Sequence, residues 1–289
     1  MTFTPDDLPS RDLYALLSTA VAPRPIAFAS TVAADGSVNL SPFSYFNVFS
    51  TTPPVLVFSP ILRGRDGSAK DTLRNIREVP EVVINVVNYA MVEQMSLTST
   101  EYPAGVDEFT KGGFTAVGSE EVRPPRVGES PVSFECVVDD VVALGDGGGA
   151  GNLVLARVVR IHVDPAVTDG EGALDTRKLD LVARMGGNDY CRATPQNLFE
   201  IPKPLRTCGM GVDQLPRAVR ESTILTGNNL GRLGNLEQLP AGDLIANVRE
   251  RGEVQRARRR GTEALHRLAQ QYIQRGDAEE ALAVLLCTQ

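Results

Sequence analysis

The sequence predicts a mainly β protein, an antiparallel barrel with peripheral helices, followed by a helical C-terminal extension. Two observations carry this. Short apolar runs recur between turn signals up to about Leu198, with only occasional helical stretches among them. After about Phe199 the pattern changes to the three-to-four-residue period of amphipathic helices. A doubly wound nucleotide-binding sheet does not fit. No GxGxxG follows the first strand, no GxxxxGK[ST] occurs, and Gly147 to Gly149 lie between two strands with no helix after them.

The elements follow in order. Leu13, Leu16 and Leu17 share helical spacing, which predicts a short helix over Asp12 to Ala20, ended near Pro23. Pro25 to Val32 and Val38 to Phe43 read as strands joined at Asp35-Gly36, a hairpin signal. Val55 to Ser59 is a short β-branched strand. Thr72 to Val79 has Leu73 and Ile76 in helical register, and Glu81 to Val87 is a buried strand. Tyr89 to Thr98 reads as helical and Pro103 to Gly113 as loop. Val132 to Val142 and Leu153 to Val163 are long strands, joined through a glycine-rich tip, Gly145 to Gly151, expected to be mobile.

Composition narrows the function classes. The chain has 289 residues, 42% apolar and 22% charged, which is ordinary for a soluble protein. A net charge of -7 disfavours nucleic acid and anionic membranes as partners. The N-terminus lacks the basic and apolar regions of a signal peptide, and no run approaches 18 apolar residues. The four cysteines form no CxxC pair and the two histidines are far apart, so neither a zinc site nor a disulfide framework is expected. These features fit a cytoplasmic protein with reduced thiols.

The densest chemistry lies between Arg24 and Thr72. Ser41 and Ser44 sit in a hydroxyl-rich run between two apolar strands. They either mark a strand bend or let backbone and hydroxyls pair with the edge of a planar heteroaromatic ring. Lys70 is one of only four lysines and immediately precedes a predicted helix. It is either solvated or, with Thr72 and the free amides of the helix start, part of an anion site. Ser59 closes the preceding strand within reach of the same place, and Arg63 or Arg65 can assist. Asp71 reads as a helix cap. No Ser-His-Asp or paired-carboxylate set is apparent, so no catalytic acid, base or nucleophile is assigned.

The order and spacing of several segments resemble the flavin reductase-like family of FMN-binding split barrels, also called the flavoredoxin group. They are PRPIAF at Pro23 to Phe28, NLSPFSYFN at Asn39 to Asn47, PPVLVFSP at Pro53 to Pro60 and KDTLRNI at Lys70 to Ile76. VVINVV, GVDEF, ESPVSFEC, VVRIHVD and ARMGGNDY follow between Val82 and Tyr190. The resemblance implies a Greek-key split-barrel domain over residues 10–200, with 201–289 as a mostly helical extension. It implies noncovalent FMN, with NAD(P)H as electron donor and a small-molecule or protein acceptor, in a homodimer. The cofactor-binding residues it implies are Arg24, Thr31, Asn39, Ser41, Pro42, Phe43, Ser44, Ser59, Lys70, Thr72, Asn188 and Tyr190. Arg24 and Thr31 would touch the ribityl chain or ring. Asn188 and Tyr190 would close over the ring from either subunit. The leading expectation is a flavin oxidoreductase, beside a flavoredoxin-like electron carrier or a non-catalytic flavin- or haem-binding protein.

The extension begins with IPKP at Ile201 to Pro204, expected as a stiff crossing. A short helix is expected around Pro216 to Glu221, and Gly227 to Gly234 as a loop near the ligand. Leu244 to Leu286 is strongly helical, broken at Gly276, with Asp277 and Glu280 placed to cap the last helix. LAQQYIQRGDAEEAL is similar to half a tetratricopeptide repeat, but one hairpin makes no array. Leu265, Leu268, Tyr272, Leu282 and Leu285 form an apolar face expected to need the barrel or a dimer partner as cover. The run Arg256 to Arg260 reads as a solvated face.

Overall fold

The computed structural model describes residues 1–103, 105–201 and 207–288. The chain divides into two compact units, Met1–Leu198 and Phe199–Gln289. The expected crossing at IPKP lies largely outside the described residues.

The first unit is built on one seven-stranded antiparallel sheet. Its strands are β1 (Ala27–Val32), β2 (Val38–Phe43), β3 (Phe46–Thr51), β4 (Pro54–Phe58), β5 (Glu81–Val86), β8 (Val132–Ala143) and β9 (Asn152–Val163). Two-residue strands β6 (Ala116–Val117) and β7 (Arg126–Val127) pair separately, as do β10 (Val182–Arg184) and β11 (Tyr190–Arg192). The sheet order is β2-β1-β5-β8-β9-β4-β3. Its two edge strands, β2 and β3, are consecutive in sequence and joined only by Ser44 and Tyr45. Such a link spans about 11 Å at most. The sheet therefore curls until its edges meet, which makes a barrel with its opening between β2 and β3.

Alternation along the strands feeds two cores. Ala27 and Ala29 of β1 join Phe43, Phe58, Ile84, Val154 and Ala156 in the barrel interior. Ile76 of helix α2 (Asp71–Glu78) packs into the same interior. Phe28 and Leu40 point the other way, onto Met91, Met95, Phe109 and Phe114. Phe28 and Phe114 meet edge-to-face with centroids 5.1 Å apart. That outer layer is covered by α3 (Val92–Leu97) and α4 (Glu108–Gly112). Helix α1 (Ser10–Ala20) precedes the sheet, and α5 (Thr176–Leu179) follows it.

Several sequence expectations change. Phe46–Thr51 is a strand, β3, that the pattern did not reveal, because it is an edge with its side chains largely exposed. Its ladder to β4 shifts register between Val48 and Ser50. Phe49 stands out of the ladder there, 69% exposed. Tyr89 to Thr98 splits into a 3-10 turn at Tyr89–Met91 and α3. The stretch expected as loop holds α4, capped by the Asp107 carboxylate accepting the Phe109 N–H at 2.9 Å. The glycine tip is hydrogen-bonded to the segment after β4. Leu62 N–H donates to Ala150 O at 2.9 Å and Gly149 N–H to Leu62 O at 3.0 Å.

The second unit contains α6 (Arg217–Arg220), α7 (Gly227–Gly234), α8 (Gly242–Glu250), α9 (Gly252–Arg260), α10 (Thr262–Arg275) and α11 (Ala278–Leu285). Gly227–Gly234 is thus a helix, not a loop. Thr226 Oγ1 accepts the Asn229 N–H at 3.2 Å, and Asn229 Oδ1 accepts the Thr226 N–H at 2.9 Å. This reciprocal cap outweighs the low helix propensity of glycine and asparagine. Gly276 ends α10 in the left-handed region at φ 99°, as its sequence suggests. Asp277, however, caps α11 with no side-chain bond. Glu280 is drawn instead to Arg251, in two bonds of 2.6 and 2.7 Å. The apolar face of α10 and α11 needs no outside cover. Leu265, Tyr272, Leu282 and Leu285 are buried against Leu233, Val248 and Val254 of α7, α8 and α9. The unit has its own core because those three helices supply the surface that one hairpin lacks.

Candidate functional site

Helix α2 faces the β1–β2 pair across two buried polar ties, one to each strand. Asn39 Nδ2 donates to Thr72 Oγ1 at 2.8 Å, and Asn75 Nδ2 donates to Thr31 Oγ1 at 3.2 Å. Thr31 and Asn39 are directly opposite in the β1–β2 register. The helix start is therefore fixed over the first part of β2 rather than free to fray. Its first amides, of Asp71 and Thr72, have no intrahelical acceptor and carry the positive end of the helix dipole.

A cavity of about 100 Å³ lies there, lined by Asn39, Ser41, Arg63, Lys70, Asp71, Thr72, the segment Thr98 to Tyr102 and Glu108. Lys70 is the N-cap residue of α2. Its Nζ sits 5.5 Å from the Phe43 ring centroid. Among the described residues no carboxylate stands within ion-pair distance of it. Burial lowers its pKa below the usual lysine range and Arg63 lowers it further, against an opposing pull from Glu101. A half-buried, unpaired ammonium beside free helix amides and several hydroxyls is an arrangement able to hold an anion. Its volume suits a phosphate group and is too small for a tricyclic ring.

Five of the sequence-derived residues thus converge: Asn39, Ser41, Arg63, Lys70 and Thr72. Thr72 contributes a fully buried hydroxyl already bound to Asn39, so it is first a structural tie. Phe43 is buried in the barrel interior beneath Lys70. Pro42 faces Phe28 across the ladder. Thr31 is wholly buried against Asn75, away from the cavity. Ser59 is buried too, its Oγ accepting the Asn152 N–H at 3.1 Å.

Arg24 and Ser44 meet at the far end of β2, with Arg24 Nε donating to Ser44 Oγ at 3.4 Å. The Arg24 guanidinium is otherwise spent on backbone carbonyls: Ser18 and Val21 at the end of α1, and Met185 at 3.0 Å. It pins two segments together while steadying Ser44. Asn188 and Tyr190 do not line the cavity of their own chain. Both are exposed, and the Arg184 guanidinium lies 4.6 Å from the Tyr190 ring centroid. Asp71 is the first helical residue rather than the cap, and it pairs with Arg74.

The sequence reading missed the wall formed by Thr98 to Tyr102. Its run TSTEY is hydroxyl-rich, but only the fold brings it opposite Lys70. Glu101 Oε1 meets Arg63 Nε at 3.3 Å and Glu101 Oε2 meets Arg65 Nη1 at 3.0 Å. These two pairs tie that wall to the loop before α2. Arg63 Nη1 also donates to Ala69 O at 2.8 Å, just before Lys70.

The model of the flavin reductase like domain matches residues 19–179, more than half of the chain. The chain belongs to the flavin reductase-like family. An uncharacterised protein of Halalkalibacterium halodurans is 39% identical over 192 residues, covering 66% of this chain and 91% of that protein. The crystal structure of nitrilotriacetate monooxygenase component B from Bacillus cereus is 30% identical. It has a TM-score of 0.65 and covers 70% of this chain and 98% of that chain. A putative flavin reductase with a split barrel domain from Shewanella frigidimarina NCIMB 400 is 24% identical. Its TM-score is 0.59, over 70% of this chain and 99% of that chain, which shows the split-barrel fold. The flavin reductase-like family accounts for the first unit; its model ends before the second unit begins.

Proposed function

We propose that the protein is an FMN-dependent oxidoreductase that takes a hydride from NAD(P)H and passes electrons to a flavin or other acceptor. The observation that carries this reading is the phosphate-sized receptor at Lys70, built on β2 and the start of α2 in a flavin reductase-like chain. The residues present fit a flavin mononucleotide. Lys70, the α2 amides and the hydroxyls around them suit the phosphate. Ser41 and Ser44 lie further along β2, where small side chains leave backbone and hydroxyl groups open to a ring edge. Bound flavin supplies the redox chemistry, and the protein orients it and keeps water away.

In this reading FMN is held without a covalent bond: Lys70 supplies a charge, and the α2 amides and nearby hydroxyls supply hydrogen bonds. A second copy covers the ring. The cavity of one chain encloses only the phosphate end, and edge strand β3 presents Val48 and Phe49 at 58% and 69% exposure. Sedimentation at low micromolar concentration then gives twice the chain mass.

Anaerobic addition of NADH or NADPH to the FMN-loaded protein tests the activity. Bleaching of the flavin absorbance with turnover on adding acceptor supports it. Stable bound FMN that neither nucleotide reduces replaces it with the electron-carrier reading.

A further inference from the structure

The phosphate-sized cavity adjoins a second, larger cleft. Asn39, Asp71 and Glu108 line both. The second cleft, about 550 Å³, runs beside the β1–β2 hairpin and is also lined by Asp35, Ser37, Val38, Arg74 and Glu78. Along β2 the order is Ser44 and Ser41, then Asn39 opposite Thr72, then Val38 and Ser37. The larger cleft therefore lies beyond the phosphate end, on the side away from Ser44.

Its size would accept a nucleoside monophosphate, but its charge is wrong for one. Among the described residues, Asp35, Asp71, Glu78 and Glu108 line it against one cation, Arg74, which Asp71 already engages. Glu108 stands at the junction. It is half-buried, and its Oε2 accepts the Leu40 N–H at 3.1 Å, which fixes the carboxylate beside β2. A phosphomonoester carries roughly one and a half to two negative charges at pH 7. Each phosphate of a diphosphate diester carries about one. A dinucleotide flavin would thus weaken the attraction to Lys70 and place its second charge among carboxylates.

We propose that Glu108, with Asp71, is the specificity-determining group for cofactor length, admitting a mononucleotide flavin and excluding the dinucleotide. The adjoining cleft has the volume of the added nucleotide, and the sign of its charge rejects it. This rests on the assignment of the Lys70 cavity to a flavin phosphate.

The test is fluorescence titration of the full chain with FMN and with FAD, for the wild type, Glu108→Gln and Asp71→Asn. Gln keeps an acceptor for the Leu40 amide, so the local fold has its bond. We expect the wild type to bind FMN at least tenfold more tightly than FAD. Either variant should narrow that ratio at least threefold. Raising salt should narrow the wild-type ratio, since exposed charges are screened. Equal affinity in the wild type, or a ratio that neither substitution nor salt changes, overturns the inference while leaving FMN binding intact. Failure of the wild type to bind either flavin overturns the functional reading itself, a distinct result.

Discussion

Asn39 Nδ2 donates a 2.8 Å hydrogen bond to Thr72 Oγ1, and both groups are buried. This single contact ties the start of β2 to the first turn of α2, the two elements that carry the candidate site. Replacing Asn39 by Ala removes the donor without filling the space. Loss of a buried hydrogen bond costs about 1–3 kcal/mol. We expect urea unfolding with a lower midpoint and an unchanged slope. We also expect weaker FMN binding, because the Lys70 turn loses its anchor.

Glu135 gives the fold a dependence on acid. Its wholly buried carboxylate accepts amides from Glu120 at 2.9 Å, Glu121 at 2.6 Å and Val122 at 3.2 Å, and meets His162 Nε2 at 2.6 Å. Burial pushes its pKa up, but the amides and His162 together outweigh that and hold it below the usual glutamate range. A depressed carboxylate stabilises the fold above its unfolded pKa, and that contribution fades as pH falls through the folded value. Stability measured by denaturant should therefore drop on acidification below about pH 4.5, in a range set by the ordinary glutamate value. Glu135→Gln should be less stable at pH 7 and show a flatter acid limb.

Gly148 allows a close approach of backbone to backbone. A Cβ placed there would come within 2.8 Å of Gly64 O and 3.1 Å of Arg63 O. Gly148→Ala should push away the loop that carries Arg63, at a cost of about 1–3 kcal/mol as for other overpacked sites. Thermal unfolding reports the cost, and FMN titration reports displacement of the receptor wall. A variant unchanged in both would show that the loop yields freely.

Glu101 holds Arg63 and Arg65 at the rim of the receptor, and its carboxylate is half exposed. Exposed pairs of this kind contribute about 0.2–1 kcal/mol, so breaking them costs little. Removing the charge also removes a negative field near Lys70. Glu101→Gln should bind FMN severalfold more tightly at low salt, with the gain closing as salt rises. Weaker binding would mean that the tie itself, rather than the charge, shapes the receptor.

How much of this the sequence revealed depends on whether local signals decide each element. Val38–Phe43 matches its expected bounds because the Asp35-Gly36 turn and the strand pattern agree. Lys70 and α2 were legible because a polar turn precedes Leu73 and Ile76 at helical spacing. Strand β3 was hidden, since an exposed edge has no buried face to alternate against. Helix α7 was hidden by its glycines, although Thr226 and Asn229 stand at capping-box spacing. The wall Thr98 to Tyr102 is hydroxyl-rich and Glu108 lies within GVDEF, but nothing local places either beside Lys70. They join Lys70 only through the folding of the sheet and the layer of α3 and α4 on it.

The central claim is that Lys70 receives the phosphate of a bound flavin mononucleotide. Calorimetric titration of the wild type and Lys70→Ala with FMN and with riboflavin, which lacks the phosphate, tests it most directly. Loss of a charge-assisted contact is worth about 1.5–3 kcal/mol. FMN affinity should fall by the corresponding factor of about ten to over a hundred. Riboflavin affinity should stay within about twofold, because it has no group for Lys70 to hold. Equal losses for both ligands, or an unchanged FMN affinity, would contradict the assignment.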